Sequence, residues 1–179
     1  GIDNGESKTI WLHPVSKSED PEGEGTQENP FVITNEKQLV ALSKLVADGK
    51  NADAYAVLDA DIVVNDSFLP LGATAVMPFK GNFDGQGHSV TVTVDEPNLL
   101  YFGFFGCLDG ATVKNLTVNG EIYCSEPSRY VGGIAARARG NVTIENCINN
   151  ATVSASADNG AHIGGIVGGY DDGVEYVSE

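Results

Sequence analysis

The sequence predicts an all-β solenoid, and three observations carry that expectation. Gly103 Phe104 Phe105 Gly106, Gly133 Ile134 Ala135 Ala136 and Gly165 Ile166 Val167 Gly168 repeat one pattern at spacings of 30 and 32 positions. A fixed period of this size marks stacked units, each making one circuit. A second pattern keeps step with the first, because Thr112 Val113 Lys114 Asn115 Leu116 lines up with Thr143 Ile144 Glu145 Asn146 Cys147, 31 positions on. Finally, the repeats are rich in Val, Ile, Thr and Gly, and Val90, Val92 and Val94 alternate with Ser89, Thr91 and Thr93. That period of two belongs to strands rather than helices.

Taken in order, residues 1–8 are polar, Thr9 to Val15 could form a strand, and residues 16–27 are acidic and rich in Gly, Pro and Ser, which reads as a linker. The expected division is an N-terminal extension with an acidic linker over 1–24 and a single repeat domain over 25–179. Asn35 to Asp48 is the one good helix. Asn35 with Gln38 gives a capping-box start, Leu39, Leu42, Leu45 and Val46 form an apolar stripe, and Gly49 supplies the stop. A solenoid must hide its terminal apolar layer, and this helix is placed to cap the N-terminal end.

Successive circuits should stack equivalent residues in columns about 4.8 Å apart. Phe104, Ile134 and Ile166 would make one column and Phe105, Ala135 and Val167 another, while Ile122 matches Val153. Asn119 Gly120 and Asn159 Gly160 read as turns. The pairs Gly132 Gly133 and Gly164 Gly165 point to close backbone approach or a corner of the coil. A phosphate cradle would need a following helix with a Lys, and no helical pattern follows either pair. Asn115 and Asn146 share a phase and could stack as an amide ladder along the coil axis. Residues 173–177 look like the opening of a further circuit.

These residues carry a family resemblance. Residues 131–136, with 103–106 and 165–168, resemble the GLUG repeat of large bacterial surface and secreted proteins. The upstream segments from Gly25 to Ile33, Leu58 to Ile62, Leu69 to Gly72 and Phe79 to His88 are similar to the stretch that precedes such repeats, so that the likeness spans about residues 25–170. The chain departs from the motif at Ala135 Ala136, where a second Gly is usual. The resemblance implies a right-handed parallel β-helix with one N-terminal capping helix, on an adhesin-like protein that is secreted or held at the bacterial cell surface, with no cofactor and no reaction of its own. Neighbouring domains of a larger parent protein are implied with it.

The composition agrees with a globular fold: 41% of the 179 residues are hydrophobic and 20% charged. A net charge of −15 with only ten Lys and Arg disfavours nucleic acid and anionic membranes as partners. No apolar run approaches the ~20 residues needed to cross a bilayer. The chain opens without a basic start or an apolar signal core, which reads as a processed or excised fragment. Cys107, Cys124 and Cys147 are an odd set at irregular spacing, and Cys147 falls where the previous circuit has Leu116, so it reads as a small buried hydrophobe.

Catalytic constellations are weak. The runner-up reading is a carbohydrate-active fragment, a glycosidase needing two facing carboxylates roughly 5–9.5 Å apart or a lyase using metal-supported acids. Asp59 and Asp61, read as sharing one face of a strand, with Asp84, Asp171 and Asp172, are the candidates, yet none recurs as a column. Asp84 in Phe83 Asp84 Gly85 Gln86 Gly87 suits a turn whose carboxylate binds local backbone N–H groups. Asp59 and Asp61 lack the Gly-rich acidic loop of a calcium site. His13, His88 and His162 form no HExxH pair, and no GxSxG elbow is present. Recognition therefore falls to the loops of variable length, where Tyr123, Glu126, Arg129 and Tyr130, then Asp158 and His162, offer aromatic rings beside hydrogen-bonding groups. A glycan or a host or matrix protein would suit such loops. The competing reading is that Tyr123 and Tyr130 merely cover the flank of the coil.

Overall fold

The chain is described by a computed structural model, which covers residues 20–95, 98–125, 129–156 and 160–171. The readings placed on Thr9 to Val15, His13, Glu126, Asp158, Asn159, Asp172 and residues 173–177 lie outside them.

The chain enters through β1 (Phe31–Ile33) and α1 (Glu36–Ala47). A first circuit follows with β2 (Tyr55–Leu58) and β3 (Ile62–Ser67). The next holds β4 (Asn82–Asp84), β5 (Ser89–Val94), β6 (Tyr101–Phe102) and β7 (Phe105–Asp109). A third holds β8 (Thr112–Lys114), β9 (Thr117–Cys124), β10 (Tyr130–Gly132) and β11 (Ala135–Arg139). The last runs through β12 (Thr143–Glu145), β13 (Ile148–Asn149), β14 (Thr152–Ala155), β15 (His162–Gly164) and β16 (Val167–Tyr170).

Strands at the same phase pair in parallel, giving sheets ordered β1-β2-β4-β8-β12, β3-β5-β9-β13 with β14 also on β9, β6-β10-β15 and β7-β11-β16. This is a parallel β-helix, the solenoid that the repeat predicts in the form that the resemblance implies. Both proposed columns exist: Ala135 pairs with Phe105 and with Val167, and the Ile134 carbonyl accepts from Phe105 N–H while its own N–H donates to Ile166. Ile122 pairs with Val153 and Thr112 with Thr143.

The period is not uniform, and the exception explains the glycines. Tyr101 pairs with Tyr130, 29 positions on, but Phe105 pairs with Ala135, 30 positions on. One residue is therefore added at the corner between β10 and β11, where Gly132 and Gly133 lie. A Cβ on Gly132 would meet the Ala135 carbonyl oxygen at 2.0 Å, and one on Gly133 would meet the Gly165 carbonyl oxygen at 2.3 Å and the Asn149 side chain at 2.2 Å. The corner is glycine because there is no room for a side chain.

Asn119 Gly120 is not a turn. It lies inside β9, where Gly120 takes φ +104° with its Cα against the Val92 carbonyl, and the partner strand breaks into β13 and β14 at the same level. An Asn-Gly pair supplies a left-handed residue wherever the backbone needs one, and here it bends a strand rather than closing a hairpin.

Inside, Phe68, Phe79, Phe83, Phe104 and Phe105 fill the early circuits, with centroids 4.9–5.6 Å apart in the contacting pairs. Phe83 meets Phe104 and Phe105 edge-to-face, as Phe104 meets Phe105, while Phe68 stacks on Phe104; such pairs add about 0.5–1.5 kcal/mol each beyond area burial. Both Phe104 and Phe105 point inward, because the corner between them interrupts the strand's alternation. In β5 the valines are buried while Thr93 is exposed, as the period of two requires.

Helix α1 lies over the N-terminal end. Asn35 Oδ1 accepts from Gln38 N–H at 3.1 Å, and Gln38 Oε1 reaches back to Thr34 N–H at 2.8 Å, one residue before the cap. Leu39, Leu42 and Val46 are fully buried, Ser43 donates to the Leu69 carbonyl, and Gly49 with φ +74° ends the helix. Within the stretch read as linker, Glu22 bridges Val32 and the Gly25 carbonyl accepts from Tyr55 N–H, so residues 22–25 lie against β1 and β2.

Candidate functional site

Among the described residues proposed for recognition, Tyr130 and His162 come together while Tyr123 lies in another sheet. Tyr130 and His162 lie in β10 and β15 rather than in loops, and they stack with Tyr101 in one column: Tyr101 to Tyr130 is 5.7 Å between centroids and Tyr130 to His162 is 4.9 Å. Tyr123 belongs to β9 in a different sheet and points to Ser156 Oγ at 3.4 Å. Arg129 precedes β10, with its Nε buried and without a hydrogen-bond partner among the described residues.

The aromatic column fills a concave outer corner. Arg137 of β11 donates to Tyr101 Oη at 2.9 Å and to both oxygens of Asp171 at 2.8 and 2.6 Å, and its guanidinium lies 5.5 Å from the Tyr130 ring centre. The Asp171 carboxylate is the chief reason the Arg137 pKa is raised. A Cβ on Gly169 would sit 2.6 Å from the Tyr130 ring, so glycine there lets the ring nest. Tyr101 is buried and Tyr130 half-buried. The geometry is that of rings covering the flank, with His162 exposed at one end.

The acids are held structurally. Asp59 and Asp61 do not share a strand face, because β2 ends at Leu58 and β3 begins at Ile62, which leaves both in the connection. Asp61 accepts from Ser89 N–H at 2.8 Å and faces His88 Nδ1 at 3.4 Å; the Ser89 bond is the main cause of its lowered pKa. Asp109 pairs with Arg139 at 3.1 Å and Lys80 at 3.6 Å. Among the described residues no cluster of three His, Cys, Asp or Glu could hold a metal ion.

Asp84 takes the turn role expected of it and a further one. Its Oδ1 accepts from Gln86 N–H and from Asn115 Nδ2, each at 2.9 Å, and Asn115 Oδ1 in turn accepts from Asn146 Nδ2 at 3.1 Å. The amide ladder thus exists and begins on a carboxylate. Asn115 and Asn146 both have positive φ, 53° and 55°, a conformation that Asn tolerates better than most residues. Burial works to raise the Asp84 pKa, but the donors Asn115, Gln86 and Lys114 outweigh it and leave the pKa below 3.8.

A ligand-sized hollow lies beside this ladder, on the sheet that begins with β1. It is a groove of about 360 Å³ walled by Gln27 and Pro30 and floored by Tyr55, Asn82, Thr112, Asp84 and Lys114. Register pairing builds the floor: Tyr55, Asn82, Thr112 and Thr143 form one column, and Val57, Asp84, Lys114 and Glu145 the next. Lys114 Nζ lies 3.3 Å from Asp84, which neutralises both. The side chains of Gln27, Tyr55, Asn82 and Thr112 make no hydrogen bond within the described residues. Sequence reasoning missed this site, although the shared phase of Asp84, Lys114 and Glu145 was a readable signal.

The three thiols are unbridged. Cys107 and Cys124 are buried and Cys147 half-buried, and burial raises the pKa of Cys107 and Cys147.

No family model matches the chain. It is 28% identical over 178 residues to halomucin of Haloquadratum walsbyi, an alignment covering 90% of this chain and 2% of that protein. It is 27% identical over 135 residues to a "putative Gly-rich membrane protein" of Evansella cellulosilytica, covering 69% of this chain and 15% of the relative. The chain thus spans a small part of the curated relatives it matches. Among solved structures, a Bacteroides ovatus protein named a "putative immunoglobulin A1 protease" superposes with a TM-score of 0.65 at 22% identity, over 88% of this chain and 58% of that one. This likeness carries the fold, a β-helix.

Proposed function

We propose that this chain is a GLUG-type β-helix module of a secreted or cell-surface bacterial protein, non-catalytic, acting in adhesion or as a stalk that presents neighbouring domains. The observation that carries the reading is the assignment of the chemistry-bearing side chains to architecture. Asp84 starts the ladder, Asp61 ties β3 to β5, Asp109 and Asp171 hold arginines, and Tyr101 and Tyr130 fill a corner. A stack of parallel strands with such fixed flanks is a rigid rod. The names halomucin and Gly-rich membrane protein, borne by relatives much longer than the matched region, support a place in a large surface protein.

The test is a panel of glycans and matrix proteins presented to the purified chain, run beside an assay for release of reducing or unsaturated sugar ends. Binding without turnover is the expected result for adhesion. Silence from a natively folded chain would favour the stalk role. Turnover of any polysaccharide would overturn the non-catalytic reading.

A further inference from the structure

We infer that the groove between the 27–30 segment and the β2-β4-β8 floor is a binding site for an extended, uncharged, hydroxyl-rich chain, namely a neutral oligosaccharide. The inference deepens the adhesion reading and rests on it, moving recognition from the variable loops to a flank of the coil.

The groove gathers hydrogen-bonding groups that no protein partner among the described residues occupies. Gln27 and Asn82 each offer an amide donor pair and an acceptor, and Tyr55 and Thr112 each offer a hydroxyl. All four line one hollow and have no partner among the described residues. Some polar side chains elsewhere on the coil are tied to each other, Asn146 to Asn115, Asn150 to Asn119 and Arg137 to Asp171, whereas the four here face one shared hollow. Convergent free donors and acceptors beside an aromatic ring are what a sugar requires, since its hydroxyls need paired partners and its apolar face needs a flat surface.

Charge and backbone select the class. The Lys114–Asp84 pair leaves the floor close to neutral, and the molecule carries −15 overall, which opposes phosphate or acidic sugars. A peptide adding as a strand needs an unpaired sheet edge. Here the floor is the face of a sheet whose strands β2, β4 and β8 are paired on both sides. The Tyr55–Asn82–Thr112 column presents one polar side chain per strand, about 4.8 Å apart along the coil axis, which suits an extended chain.

The experiment titrates the full chain with neutral hexose and N-acetylhexosamine oligosaccharides of increasing length by calorimetry, beside a uronic-acid oligomer and an unstructured peptide. Asn82→Ala and Thr112→Val probe the floor; Thr112→Val keeps a β-branched side chain in β8 and removes only the hydroxyl. Thr93→Val, at an exposed position of β5, is the control outside the groove. The expected result is binding of a neutral oligomer that tightens with length, weakens about tenfold or more in each floor variant, and is unchanged in the control. A neutral ligand bound equally by the parent and both floor variants would overturn the groove while leaving adhesion standing. Preference for the uronic-acid oligomer or the peptide would overturn the ligand class. Silence towards every probe, with unaltered melting of the parent, would overturn the groove, and the adhesion reading would then stand or fall on the wider panel of glycans and matrix proteins.

Discussion

The two ends of the coil treat the same kind of residue in opposite ways. At the N-terminal end Ile33 and Leu58 of the strands and Leu39 and Leu42 of α1 are all completely buried. At the other, Ile148, Ile163 and Ile166 are 55%, 52% and 39% exposed, and among the described residues no element lies beyond the β12 to β16 circuit. Ile134 and Ile166 occupy one position of the repeat, yet Ile134 is fully buried. A solenoid residue is buried by its neighbours on both sides, so its contribution depends on which circuit it occupies.

The sharpest way to break this comparison is truncation at both ends. Leu42→Ala, which empties space under the cap, should cost about 2–5 kcal/mol. Ile166→Ala, at the open end, should cost under about 1 kcal/mol, because exposed positions have little burial to lose. Urea melts of the two variants check the difference; equal losses would mean that the last circuit is covered after all.

The corner glycines sharpen it further. A methyl on Gly133 meets a carbonyl oxygen and Asn149, while one on Gly165 meets nothing within 4 Å. Gly133→Ala should therefore destabilise by about 1–3 kcal/mol through overpacking. Gly165→Ala should be neutral, or stabilising by up to about 1 kcal/mol, through the reduced freedom of the unfolded chain. Thermal melting separates the two directly.

The smallest effect concerns the ladder that crosses from the middle circuits towards the open end. Asp84 has a lowered pKa in the fold, so its stabilising contribution is present above 3.8 and is lost as pH falls through the lower native value. Asp84→Asn should flatten the decline in stability between neutral pH and about pH 3, and urea melts across that range measure it. The residual slope belongs in part to Asp61, whose pKa is also lowered.

Much of the architecture was legible because a repeat states its own pairing. The columns through Phe105, the Val90, Val92 and Val94 face, the helix with its Asn35 cap and the Asn115–Asn146 ladder all follow from equal spacing and local chemistry. The turn at Asp84 was legible for the same local reason. The misreadings arose where local chemistry serves two geometries. Asn119 Gly120 supplies a left-handed residue whether the chain reverses or only bends, and Asp59 and Asp61 were placed on a strand that ends at Leu58.

By itself, then, the sequence determined the period and the cap, since these depend on residue spacing and on contacts within a few positions; which repeat column faces inward was settled by the fold, where Phe104 and Phe105 are both buried. Only the tertiary structure decided which polar side chains are left without partners. The reach of Arg137 to Asp171, the covering of the aromatic column and the free groups of Gln27, Tyr55, Asn82 and Thr112 depend on residues from different circuits meeting across a corner or a sheet. No single repeat encodes such a meeting, because it is made by the number of residues at each corner, and one added glycine shifts it.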